Sequence, residues 1–113
     1  MHETSIAKNL LEIILEKAKE CNANRITKIN LKLGEFSGIN EHSLKFAFEN
    51  IIQRTIAKDS TLNINKIPLL GKCRKCEQEF EINKTDFSCP NCGSLKLDII
   101  SGEDIYIDNI EIE

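Results

Sequence analysis

Four of the five cysteines of this 113-residue chain fall in two pairs, "CRKC" at Cys73 and Cys76 and "CPNC" at Cys89 and Cys92, with twelve residues between them. Two residues between cysteines let both thiolates of one turn reach a single ion, and a hairpin linker brings the second pair round to complete a tetrahedron. Zinc accepts four sulfurs in that geometry without a redox preference. Pro90 inside the second pair and Gly93 just after it suit the tight turn of such a knuckle. A closed four-sulfur site leaves no position for a substrate, so a Zn(II) ion held by Cys73, Cys76, Cys89 and Cys92 is expected to be structural. A thiol–disulfide oxidoreductase wants one pair at a helix start beside a β–α–β unit, and iron–sulfur proteins carry denser cysteine runs. Neither pattern is present.

The chain also opens "MHE". An amino terminus supplies an amine nitrogen, the peptide nitrogens of His2 and Glu3 can lose protons to a suitable metal, and the His2 imidazole lies within reach of the same ion. Such planar nitrogen sets favour Ni(II) or Cu(II) over zinc. On the residues alone, a histidine at position two is more often just an exposed terminal side chain. His42, the other histidine, reads as a solvated residue in the first turn of a helix.

Zinc ribbons often bind nucleic acid, so the charge pattern matters. Lys72, Arg74, Lys75 and Lys84 are interleaved with Glu77, Glu79, Glu81 and Asp86, and the whole chain carries a formal charge of −3. A phosphate-binding surface wants a basic excess, and none is expected here. No run approaches the roughly 20 apolar residues of a membrane span. The start lacks the basic n-region of a signal peptide, so the expected setting is the cytoplasm, where thiols stay reduced.

These groups need a scaffold, and the periodicity supplies one. Ala7, Leu10, Leu11, Ile14, Ala18 and Cys21, widened by Ile6, Ile13 and Leu15, predict an amphipathic helix with Cys21 as a buried thiol. In "ITKINLKLGEF", Ile29, Leu31 and Leu33 alternate as a half-buried strand closed by Gly34. Asn40 is placed to cap a second helix whose buried stripe is Leu44, Ala47, Phe48, Ile51 and Ile56, flanked by Phe46 and Ile52. "TLNINKI" predicts a second strand and "EDIYIDNIEIE" a third, with a bulge near Asp108 and Asn109 bringing its isoleucines to one face. The expected fold is α+β: two helices packed on a three-stranded mixed or antiparallel sheet, with an inserted zinc ribbon. The α+β domain would cover residues 1–69 and 98–113 and the ribbon 70–97. Only Phe80, Ile82, Phe87 and Leu95 are available for the ribbon's core.

"MHE" at the start, "LGEFSGIN" and "SLKFAFE" in the middle, and the two cysteine pairs followed by "SGEDIYIDNIEIE" make the chain resemble the HypA/HybF family over its whole length. The resemblance implies a nickel metallochaperone for NiFe-hydrogenase maturation, not an enzyme. It assigns Ni(II) to the Met1 amine, the His2 imidazole and amide, and the Glu3 amide, and it assigns zinc to the four cysteines. The implied partners are a HypB-type GTPase and the hydrogenase large subunit, with urease as another recipient in some organisms. No nucleic acid or membrane is implied, and a homodimer is compatible. Some members are described as sensing pH through histidines beside the zinc cysteines; this chain has none after His42. The alternative reading is a zinc-ribbon protein-binding or nucleic-acid-binding module with no nickel role.

Overall fold

A computed structural model describes residues 3–83 and 85–113. The elements run α1 (Glu3–Glu20), β1 (Ile26–Gly34), α2 (Glu41–Ile51), β2 (Thr61–Ile67), β3 (Leu70–Cys73), β4 (Glu79–Glu81), β5 (Leu97–Ser101) and β6 (Ile105–Ile112). Two three-stranded sheets form, one in the order β2-β1-β6 and one in the order β4-β3-β5. The α+β class and the expected order of helices and strands are therefore present, with three further strands inside the cysteine segment.

The chain divides into two compact units. One comprises residues 1–32, 39–65 and 106–113; the other comprises 33–38 and 66–105, a wider stretch than 70–97.

In the first unit, Ile6, Ala7, Leu10, Leu11, Ile14 and Ala18 are the buried face of α1. Cys21 is exposed, not buried as expected. The helix stops at Glu20, where the Asn22 amide donates to the Lys19 carbonyl and the Ala23 amide to that of Ala18. Asn22 takes the left-handed φ of 55° that this Schellman-type ending requires. The stripe therefore ends one turn before Cys21. Ile13, on the flank of the row from Ala7 to Ala18, is also 57% exposed.

Asn40 caps α2 as expected, its side-chain oxygen accepting from the Ser43 amide at 2.9 Å. Leu44, Ala47 and Phe48 are the buried residues of that helix. Phe46 is 68% exposed, and Ile56 lies beyond the helix end at 38% exposure. Ala57 and Ile52 are buried in the turns that follow. Ile26, Ile29 and Leu31 of β1 and Leu62 of β2 complete this core.

The Arg25 and Glu113 backbones exchange both hydrogen bonds, which sets β1 and β6 antiparallel. The outward face carries three ion pairs, Arg25–Glu113, Lys28–Glu111 and Lys32–Asp108. On β6, Ile107 and Ile110 are half-buried with Asp108 and Asn109 exposed between them, while Ile112 is 37% exposed.

The second unit is built on β3, antiparallel to β4 on one side and to β5 on the other. Of the four apolar residues expected in its core, Ile82 is buried and Phe80 half-buried. Phe87 and Leu95 are exposed at 46% and 76%. Cys73, Cys89, Leu33 and Leu69 are buried in their stead, so sulfur supplies part of the core. Phe87 instead meets Phe36 edge to face, with ring centroids 6.2 Å apart.

Candidate metal centre

Cys73 ends β3, and Cys76 follows in the turn after it. The backbone closes that turn on itself. The Glu77 amide donates to the Cys73 carbonyl at 2.8 Å and the Cys73 amide to the Gln78 carbonyl at 3.0 Å. The second pair repeats this arrangement: Gly93 donates to the Cys89 carbonyl at 2.8 Å, and Cys89 donates to the Ser94 carbonyl at 2.9 Å. Both turns need a left-handed residue directly after the second cysteine. Glu77 takes φ 62° and Gly93 φ 76°. The glycine was expected; nothing in the sequence marks Glu77 for that conformation.

Two such knuckles converge. The sulfurs of Cys73, Cys76, Cys89 and Cys92 all lie within 4.8 Å of one another. The Cys73–Cys92 separation is 3.5 Å and the Cys76–Cys89 separation 3.6 Å. A tetrahedral zinc with bonds of about 2.3 Å holds its sulfurs about 3.8 Å apart, so the group fits that ion. Among the described residues it is the single cluster of three or more metal-capable side chains.

The electrostatics also suit a cation. The Cys76 and Lys75 amides both approach the Cys73 sulfur at 3.4 Å. Donation from Cys76 first, then from Lys75, overcomes burial and brings the Cys73 thiol down to about 6. Cys76 is also lowered, first by the Asn91 side chain and then by the Gln78 backbone. At Cys92 the Ser94 backbone lowers the value, but crowding by Cys73, burial, and the Cys89 and Cys76 sulfurs outweigh it and push the thiol up to about 11. Four sulfurs this close cannot all ionise without a cation among them. Arg74, on the first knuckle, is paired with Asp98 at 2.7 Å rather than left as free positive charge.

Of the three expected nickel residues, Met1 and His2 lie outside the described residues. Glu3 is the first residue of α1, so its amide is among those with no partner inside the helix. Its carboxylate accepts a hydrogen bond from the Asn40 amide at 3.4 Å, a contact between the starts of the two helices that sequence spacing could not disclose. His42 is exposed in the first turn of α2.

No described helix is long and apolar enough to cross a membrane. A family model described as "Hydrogenase/urease nickel incorporation, metallochaperone, hypA" matches residues 1–112. The hydrogenase maturation factor HypA of Aquifex aeolicus is 38% identical over 113 residues, covering 100% of this chain and 98% of that protein. The HypA of Nostoc punctiforme is 40% identical over the same span, with 96% of its length covered. The solution structure of the Ni metallochaperone HypA from Helicobacter pylori superimposes with a TM-score of 0.74 at 27% identity, over 99% of this chain and 97% of that one. Another HypA solution structure gives a TM-score of 0.79 at 26% identity, over 100% and 97% of the two chains.

Proposed function

This chain belongs to the HypA family of nickel metallochaperones for hydrogenase maturation, and from that membership we propose that it carries Ni(II) on its amino-terminal residues while a structural Zn(II) holds its cysteine knuckles. It is a maturation factor, not an enzyme. The observation that carries the reading is the family match across residues 1–112, with "MHE" at the start.

Nickel is the cargo. Its ligands are the Met1 amine and the His2 amide and imidazole, with the Glu3 amide as the further backbone donor. A site at the end of a chain is open to a competing ligand set, which suits transfer. Zinc takes Cys73, Cys76, Cys89 and Cys92; the sulfur separations and the depressed Cys73 and Cys76 thiols support that assignment. The nickel work belongs to the α+β domain assigned to residues 1–69 and 98–113, and the zinc work to the inserted ribbon of 70–97. The recipient is the hydrogenase large subunit, reached with a HypB-type GTPase in the cytoplasm.

A titration of untagged protein with Ni(II), followed by calorimetry and visible absorption, tests this. His2→Ala, or a tag fused before Met1, should abolish stoichiometric nickel binding and leave zinc content unchanged. Full nickel affinity in either, or nickel bound among the sulfurs, overturns the reading.

A further inference from the structure

The second unit leaves one sheet edge guarded and the other open. Its strands run in the order β4-β3-β5, so β4 and β5 are the two edges. β4 is three residues long and carries Glu79 and Glu81, a short charged edge that resists pairing with another chain. β5 is longer and mostly apolar, with Leu97, Ile99 and Ile100 among its five residues. Ile99 and Ile100 are exposed, and Leu95, just before the strand, is 76% exposed. No strand pairs with the outer side of β5 among the described residues.

The register on β3 fixes which groups face outward. Cys73 lies opposite Leu97, Lys72 opposite Asp98 and Gly71 opposite Ile99. The Arg74 amide donates to the Lys96 carbonyl at 2.9 Å, so the backbones of Lys96 and Asp98 turn inward to β3. Those of Leu97 and Ile99 therefore turn to the open edge. The pleat also sorts the side chains: Leu97 and Ile99 share one face of the sheet, and Lys96 and Asp98 share the other.

We propose that β5 is a docking edge for a second copy of this chain, paired antiparallel about a twofold axis at Leu97. The outward-facing backbones allow the axis at Leu97, Asp98 or Ile99, and charge chooses among them. An axis at Asp98 sets two carboxylates face to face. An axis at Ile99 sets Asp98 against Ile100 and leaves the charges unpaired across the joint. With the axis at Leu97, Lys96 of each copy lies opposite Asp98 of the other. Leu95 then lies opposite Ile99, and Leu97 opposite its own counterpart. One face of the joint is apolar throughout and the other holds two ion pairs. Asp98 already bonds Arg74 of its own chain at 2.7 Å and, with its side chain 54% exposed, has room for a second cation. A joint of this extent falls at the small end of interfaces, which suits a dissociation constant of about 1–100 µM. None of this depends on where nickel binds.

Sedimentation of untagged, zinc-loaded protein between about 5 and 500 µM tests the joint, because it brackets that range. Wild type should pass from monomer to dimer as concentration rises. Lys96→Asp sets carboxylates opposite Asp98 of the second copy, and Asp98→Lys sets ammonium groups opposite Lys96. Each protein alone should therefore dimerise at least about tenfold more weakly than wild type. Mixed together, the two reversed proteins are complementary at both ion pairs and should form a heterodimer of about wild-type affinity. Zinc content and unfolding midpoint should hold in both, since the Arg74–Asp98 pair lost in Asp98→Lys is exposed. Ile99→Pro removes an outward-facing amide without taking a bond from β3, and should also leave a monomer. The proposal is overturned by a wild type that stays monomeric to 500 µM. It is equally overturned by reversed proteins that dimerise as wild type does, or by a mixture that associates no more tightly than its components.

Discussion

Glu77 stands in the first cysteine knuckle where Gly93 stands in the second. Each follows the second cysteine of its pair, and each donates its amide to the carbonyl of the first at 2.8 Å. Each also takes a left-handed φ, 62° for Glu77 and 76° for Gly93. A side chain costs about 1–2 kcal/mol in that conformation, and a glycine returns part of the saving as unfolded-chain entropy. Glu77→Gly should therefore stabilise the knuckle by about 0.5–1 kcal/mol. Because folding and metal binding are coupled here, that becomes about two- to fivefold tighter zinc in competition with a chelator. Gly93→Glu should weaken zinc by a similar factor. Equal affinities in all three proteins would show that the backbone at these positions carries no strain.

Zinc removal should act on one unit only. The second unit buries little hydrocarbon beyond Leu33, Leu69 and Ile82, and Cys73 and Cys89 occupy its centre. Without the ion, four sulfurs within 4.8 Å of one another repel once ionised. Hydrogen exchange after chelation should find the amides of Cys73, Ile82 and Cys89 exchanging faster, with the knuckles still formed, while those of Leu10, Ile14 and Phe48 keep their protection. Retained protection at the cysteines would mean that apolar contacts alone suffice.

Much of this was readable in advance, for identifiable reasons. The α1 stripe from Ala7 to Ala18, the Asn40 cap and the alternation of Ile29, Leu31 and Leu33 are local patterns, and local patterns survive folding. The convergence of the cysteines was legible because C-x-x-C turns have one geometry that serves a metal. Cys21, Phe87 and Leu95 were misread because their burial depends on where an element stops or what else fills a core. A Schellman ending at Asn22 turns Cys21 out, and sulfur replaces Phe87 and Leu95. The Glu3–Asn40 contact joins residues 37 apart, a distance that no periodicity spans.

Proton release on zinc binding should be uneven among the cysteines. In the zinc-free protein the Cys73 thiol sits at about 6, held down by the Cys76 and Lys75 amides, and Cys92 at about 11. At pH 7 Cys73 is already a thiolate and gives up little, whereas Cys92 must lose its proton to bind. Fewer than four protons per zinc should therefore appear at pH 7, with Cys73 joining as the pH falls through about 6 and zinc affinity then dropping more steeply. The fold follows the same signs. The lowered Cys73 value contributes stability above its ordinary 9.0 that is lost as pH falls through about 6. The raised Cys92 value contributes stability below 9.0 that is lost as pH rises through about 11. Calorimetry in two buffers of different ionisation enthalpy counts the protons; four at pH 7 would contradict the ordering.

Gly34 and Gly102 should tolerate no side chain, for a reason separable from backbone strain. A Cβ on Gly34 would fall on the carbonyl of Gly102 and lie 2.9 Å from that of Asp104. A Cβ on Gly102, at φ +103°, would lie 2.5 Å from the Leu69 Cα and 2.7 Å from the Pro68 carbonyl. Every one of these neighbours is backbone, and two of the stretches, 34–36 and 102–104, are tied by short hydrogen bonds, Gly34 to Asp104 and Phe36 to Gly102, both at 2.8 Å. They cannot yield as a flexible side chain would, so Gly34→Ala or Gly102→Ala should cost upwards of about 2 kcal/mol through overpacking. Gly38 is the control. It too has a positive φ, +76°, but nothing lies within 4 Å of its added Cβ, so Gly38→Ala should lose only the roughly 1 kcal/mol of conformational strain. Thermal unfolding of the three zinc-loaded variants separates collision from strain. A Gly34→Ala midpoint no lower than that of Gly38→Ala would mean that the two crossing backbones have room to part.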